Sequence, residues 1–173
     1  MFGKDDNPQT KLHEAFWDKL GSDRVVMLGL KGVEDDATRP MTAQVDGEDD
    51  ARAIYFFASK GEGIGQSIVG NPAHRVVATF ASKGHDLFAH IHGSLRPDND
   101  RETIDRLWNP IVASWYKDGK DDPDLLLLKF NAERAEVWEA SAFSTLKAAA
   151  MKMLFDTDPG DQLKKEHQAE VKL

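Results

Sequence analysis

RPMTAQVDGEDDARAIYFFAS, residues 39–59, is the stretch that decides the fold. Its first part alternates, with Met41, Ala43 and Val45 on one side of an extended chain and Thr42 and Gln44 on the other. Asp46-Gly47-Glu48-Asp49-Asp50 is a run of turn formers, and residues 53–59 return as a second strand built on Ile54, Tyr55, Phe56 and Phe57. Outward from this hairpin, residues 24–30 are apolar and β-branched and end at the turn-forming Lys31-Gly32. Three strands in succession with short turns predict an antiparallel meander, not a βαβ unit. Residues 75–82 and 87–95 form another pair across Lys83-Gly84-His85-Asp86, and residues 125–130 and 135–138 the final pair.

Helices frame these strands. Asn7 is placed to cap a first helix, with Pro8 at its first position, Leu12, Phe16 and Leu20 as its apolar stripe and Gly21 as its stop. A short helix over 63–69 ends at Gly70-Asn71-Pro72. Asn99 with Glu102 is a capping box for a helix through Trp108, and Asn109-Pro110 opens another through Tyr116. Residues 118–124 form an acidic Gly/Pro loop, and 144–155 a helix with Leu146, Ala150, Met153 and Leu154 on one face. The expected architecture is a barrel-like α+β domain with six or seven antiparallel strands. It occupies residues 1–155, with 156–173 as a polar arm.

Composition narrows the function classes. A length of 173 residues fits one domain. Thirty acidic against 22 basic residues give a net charge of −8, which argues against a nucleic-acid surface and against docking on anionic lipid. The absence of cysteine excludes disulfides, thiolate metal sites and a cysteine nucleophile. No apolar run is long enough to span a membrane. Met1-Phe2-Gly3-Lys4-Asp5-Asp6 does not read as a secretory leader, so a cytoplasmic setting is expected.

Few motifs carry chemistry on their own. From Gly61, a dinucleotide-type glycine spacing breaks at Gln66 and lacks its βαβ context. Ser59, Ser67 and Ser82 lack the strand–elbow–helix setting of a nucleophile. His90 and His92 share one strand face, with Asp86 a candidate third ligand, yet no further ligand declares itself and no metal is assigned. The alternative is that these histidines serve a subunit contact or a ligand edge. Trp108, Trp115, Tyr116 and Trp138 suit either helix–barrel packing or a flat ligand.

The order of elements and several local sequences resemble the general stress protein branch of the pyridoxamine 5'-phosphate oxidase-like proteins, the FMN-binding split barrels. The resemblance rests on Arg39-Pro40-Met41-Thr42, on residues 54–60, on Asn71-Pro72 before a strand, on Leu107-Trp108-Asn109-Pro110 with Trp115-Tyr116, and on Asp121-Asp122-Pro123 leading toward Trp138. It implies a six-stranded antiparallel Greek-key split barrel with flanking helices, a homodimer, and FMN (or FAD or another flavin-like cofactor) in a cleft between subunits. On that basis Arg39, with a planar fork suited to phosphate, Lys60 and the loop from Gly61 through Gly63 to Gly65 would hold the phosphate. Pro40, Met41, Thr42, Phe56, Phe57, Ala58, Ser59 and Trp138 would frame the ring. A solvated charge for Arg39 and plain core packing for Phe56 and Phe57 are the competing readings.

The family's basic residues at the start of the short helix are replaced here by Gly63 and Ile64, and Glu62 adds negative charge. Either glycine-rich backbone supplies N–H donors in their place, or flavin binding is lost. No catalytic residue is assigned. The two functions to weigh are a flavin-binding stress protein acting as an FMN-dependent oxidoreductase, and a non-enzymatic interaction module of the same fold. A relative using another cofactor (a deazaflavin, pyridoxal phosphate or haem) is a third. Authentic pyridoxamine-phosphate oxidation is not expected, because the chain after Trp138 lacks the substrate-binding pattern of those enzymes.

Overall fold

In the computed structural model the described residues are 7–48, 51–71, 73–140, 168–171 and 173. One antiparallel sheet organises them. Its strands are β1 (Val25–Leu30), β2 (Thr38–Thr42), β3 (Gln44–Asp46), β4 (Ala53–Ser59), β5 (His74–Ala81), β6 (Leu87–Pro97), β7 (Leu125–Glu139) and β8 (Gln168–Val171). The order across the sheet is β2-β1-β5-β6-β7-β4-β3, with β8 pairing β7. The two edge strands of that order, β2 and β3, are successive in the chain and separated by Ala43 alone. The sheet therefore curls into a half-barrel whose edges meet at one fully buried corner, where Ala43 N–H donates to the Arg24 carbonyl at 2.7 Å.

Among the described residues the strand count is eight, not six. The stretch 39–45, expected as one strand, breaks at the Ala43 corner, and residues 168–171 of the polar arm add β8, with Val171 buried. Conversely, the two expected strands 125–130 and 135–138 are halves of the single strand β7. Its polar middle comes from a bulge opposite His92 and Gly93, which leaves Glu133 without a partner residue in the β6 register. Gly93 permits this crossing, because a Cβ there would lie 2.1 Å from the Asn131 carbonyl oxygen. The expected helix 144–155 lies outside the described residues.

Helix α1 (Pro8–Asp23) is capped by the Asn7 side chain and buries Leu12, Phe16, Trp17 and Leu20. Phe16 meets Phe80 edge-on at 6.4 Å, so this helix plugs the concave face of the half-barrel. The helix passes Gly21 and stops at Asp23, with Arg24 in the left-handed region (φ 61°) returning its N–H to Leu20. On the other side, α3 (Arg101–Leu107) and α4 (Pro110–Ala113) build a second, smaller core against Tyr55, Leu125 and Leu127. Asp100, not Asn99, caps α3, since Asn99 Oδ1 accepts the Leu127 N–H at 2.7 Å instead. Asn109 caps α4 as expected, but α4 closes before Tyr116. Helix α2 (Gly63–Ile68) lies on the end of β4.

Candidate functional site

Adjacent strand residues point to opposite faces, and β4 shows the consequence. Phe56 is fully buried in the main core against Phe130, whereas Phe57 faces the second core, 5.8 Å from Trp108 and 6.5 Å from Tyr116. Where β4 ends, its last residues, the end of β2, the start of α2 and the α4 segment enclose an open cavity of about 520 Å3. That volume is within the range of small-molecule sites.

Arg39, Pro40, Met41 and Thr42 supply one wall, and Phe57, Ala58 and Ser59 the facing one. Gly63 joins them from α2. Phe56 is excluded as core, Lys60 turns its ammonium to the Pro123 carbonyl at 2.8 Å, and Gly61 lies beside the cavity without lining it. Trp138 pairs with Phe88 on the far half of β7, thirteen positions beyond Leu125, which pairs with Ser59. Within one subunit it does not reach this cavity.

The geometry explains the missing basic residues of α2. Gly63 has φ +55°, and a Cβ built there would lie 2.7 Å from Arg39 Nη1. The Arg39 guanidinium thus occupies the space a side chain at 63 would need. The next residue, Ile64, is buried in the main core, where a charge would be strongly disfavoured. The fork of Arg39 is therefore the cation on the cavity wall, half-buried and laid across a glycine.

Several wall residues lie outside the set expected to hold the phosphate and frame the ring. Gln44 belongs to the site because the Ala43 corner folds β3 back beside β2. Ile111 and Trp115 are 73% and 81% exposed, so Trp115 does not pack between helix and barrel; both form an apolar rim. Tyr116 is buried and donates its hydroxyl to the Ala58 carbonyl at 2.8 Å. Burial, reinforced by the charges of Asp124 and Asp122, pushes its phenol up to about 12, so it stays protonated and fixed at neutral pH.

Asp124, an exposed residue of the acidic loop 118–124, is tethered: its carboxylate accepts from the Ser59 hydroxyl and from Gly61 N–H at 2.9 Å, and it lines the cavity together with Glu62. The amide of Gly61 is thus already committed to the protein's own carboxylate. No sequence signal announces a partner 63 to 65 residues away.

The histidine pair lies elsewhere, on the outer face of β6 with ring centroids 4.6 Å apart. Asp86 does not join it, being held by Lys19 Nζ at 2.6 Å and the Ser82 hydroxyl at 2.5 Å. Among the described residues no three metal-ligating groups converge. Burial, then the positive charges of Arg134, His90 and Lys31, hold His92 below the ordinary imidazole range. No helix among the described residues is long and apolar enough to cross a membrane.

Chemically, the cavity offers apolar side chains, the Arg39 guanidinium, two carboxylates and backbone from two strand ends. Among the described residues no histidine lines it, so none of them sets an imidazole base beside the Ser59 hydroxyl. The arrangement suits holding a planar ligand with an anionic tail better than acyl transfer.

Comparison with known proteins agrees with this geometry. A family profile described as "Pyridoxamine 5'-phosphate oxidase like" matches residues 11–157. General stress protein 26 of Bacillus subtilis is 28% identical over 92 residues, 53% of this chain and 65% of the relative, so the match spans just under two thirds of that protein. Among solved structures, a general stress family protein of Xanthomonas campestris pv. campestris superposes with TM-score 0.71 at 50% identity, covering 79% of this chain and 91% of its own. A protein of Xanthomonas citri described as a general stress FMN/FAD binding protein gives TM-score 0.70 at 51% identity, with 76% and 91% covered.

Proposed function

The chain belongs to the pyridoxamine 5'-phosphate oxidase-like family, and from that premise we propose that it is a flavin-binding general stress protein. In this reading FMN, or FAD, lies in the cavity between β2, β4 and α2, and the half-barrel is the family's Greek-key split barrel. The observation that carries it is the convergence of the Arg39 guanidinium, laid over Gly63, with an open apolar slot walled by Met41, Phe57, Ala58 and Trp115. Arg39 forms charge-assisted hydrogen bonds to the phosphate through its fork. Thr42 and Ser59, at the two strand ends, line the cavity where the ring would lie. Tyr116 keeps the end of β4 fixed through its bond to Ala58. Bound there, the flavin supplies hydride and single-electron chemistry, and the protein supplies orientation and shielding.

The same reading makes the working unit a homodimer. The outer face of the half-barrel carries exposed Val25, Met27 and Phe88. In the strand register Met27 stands beside Pro40 and Val25 beside Thr42, so this apolar face runs into the cavity wall. Trp138 shares that face through its pairing with Phe88. A second copy seated there brings its own Trp138 toward the cavity, which gives that residue the ring contact it lacks within one subunit. We place the protein in the cytoplasm.

One observation favours a second reading, a non-enzymatic interaction module. Glu62 and Asp124 add two carboxylates to the lining of the cavity that also carries Arg39. A fluorescence titration with FMN, combined with sedimentation equilibrium, tests the choice. Saturable quenching at one flavin per chain and a mass of two chains support the first reading; a protein that never saturates overturns it.

A further inference from the structure

Asp124 differs from an ordinary surface acid in being fixed. Its Oδ1 accepts from Gly61 N–H at 2.9 Å, its other carboxylate oxygen from the Ser59 hydroxyl, and its backbone carbonyl from Lys60 N–H at 2.9 Å. Lys60 Nζ grips the neighbouring Pro123 carbonyl at 2.8 Å. These contacts hold the loop before β7 against the loop after β4, so the charge cannot swing away from whatever occupies the cavity. Glu62, on the same wall, makes no capping bond to α2 and is free to turn toward solvent.

We propose that Asp124 is a specificity-determining residue of this cavity, whose fixed carboxylate opposes the terminal phosphate of a ligand and so sets the preference between phosphorylated and unphosphorylated flavins. The inference rests on the flavin reading of the site. At neutral pH a phosphate monoester carries between one and two negative charges. At an effective dielectric of about 20, a carboxylate about 12 Å from the phosphate weakens its binding by about tenfold, and a nearer one by more. Riboflavin, which has the same ring and no phosphate, is untouched by this term. Arg39 acts with the opposite sign on the same group.

Asp124→Asn removes the charge while keeping the shape and an acceptor for Gly61 N–H. Wild type, Asp124→Asn and Glu62→Gln are each titrated with FMN and with riboflavin by flavin fluorescence, at low and high salt. The expected result is an FMN-to-riboflavin affinity ratio raised at least about tenfold in Asp124→Asn, with the gain shrinking in high salt. Glu62→Gln moves the ratio the same way by less. A ratio left unchanged, or both flavins altered alike, overturns the inference while leaving the flavin reading intact. Failure of every form to bind either flavin removes the flavin reading, and the inference with it.

Discussion

Replacing Gly65 with alanine is the sharpest mechanical test of how α2 is seated. A Cβ at this position would lie 1.8 Å from the Ser59 carbonyl oxygen and 2.7 Å from its carbon. Both atoms are backbone at the end of β4, where Ser59 pairs with Leu125, so they have no flexible way to retreat. Helix α2 must lift instead, carrying Ile64 and Ile68 out of the main core, where they are 5% and 1% exposed. Overpacking and partial loss of two buried side chains together cost about 2–4 kcal/mol, against a gain in helix propensity of under about 1 kcal/mol. For a chain of this size the melting temperature should fall by roughly 5–12 °C. Gly21→Ala is the matched control: nothing lies within 4 Å of its built Cβ inside α1, and the same propensity gain of about 0.5–1 kcal/mol should raise the melting temperature. Thermal unfolding followed by circular dichroism measures both. A Gly65→Ala protein as stable as its parent would refute the close seating of α2 on β4, and with it the shape of the cavity wall.

Other perturbations probe separate parts of the structure. Arg39→Ala should weaken FMN binding by about 1.5–3 kcal/mol and riboflavin binding far less, as read by titration calorimetry. Ser82 is fully buried and accepts from Asp86 N–H at 3.1 Å and Leu87 N–H at 3.0 Å, so Ser82→Ala should cost about 1–3 kcal/mol in chemical denaturation. The Tyr116 phenol, raised in the fold from 10 to about 12, contributes stability below pH 10 that is lost as pH rises toward 12, because the unfolded chain ionises first. Tyr116→Phe should flatten that alkaline limb while costing about 1 kcal/mol at neutral pH through the lost bond to Ala58.

Local signals carried much of this structure. The Asn7-Pro8 start of α1, the Leu12–Phe16–Leu20 stripe and the Asn109 cap are short-range chemistry, and each forms as the sequence indicates. Apolar and β-branched runs between turn formers placed β1, β4, β5 and β6 for the same reason. What escaped depends on contacts distant in sequence. Ala43 gives no sign of being the corner where two sheet edges meet. The polar run at 131–134 looked like a loop because a bulge breaks the period-two pattern. In the site, Arg39, Met41, Thr42, Phe57, Ala58 and Ser59 were legible because strand-end positions could be matched to a family pattern, and all six line the cavity. Phe56, one residue before Phe57, faces the main core instead of the cavity. The partners of Lys60 and Asp124 were not legible, because hydrogen bonds spanning 63 to 65 residues leave no trace in local composition.

The most direct test of the central claim is a crystal structure of the chain grown with FMN. The account expects one flavin per chain, with its phosphate within hydrogen-bond distance of the Arg39 guanidinium beside Gly63 and its ring between Met41 and Phe57. Density for the flavin at any other place, or a cavity still empty at saturating FMN, would contradict it.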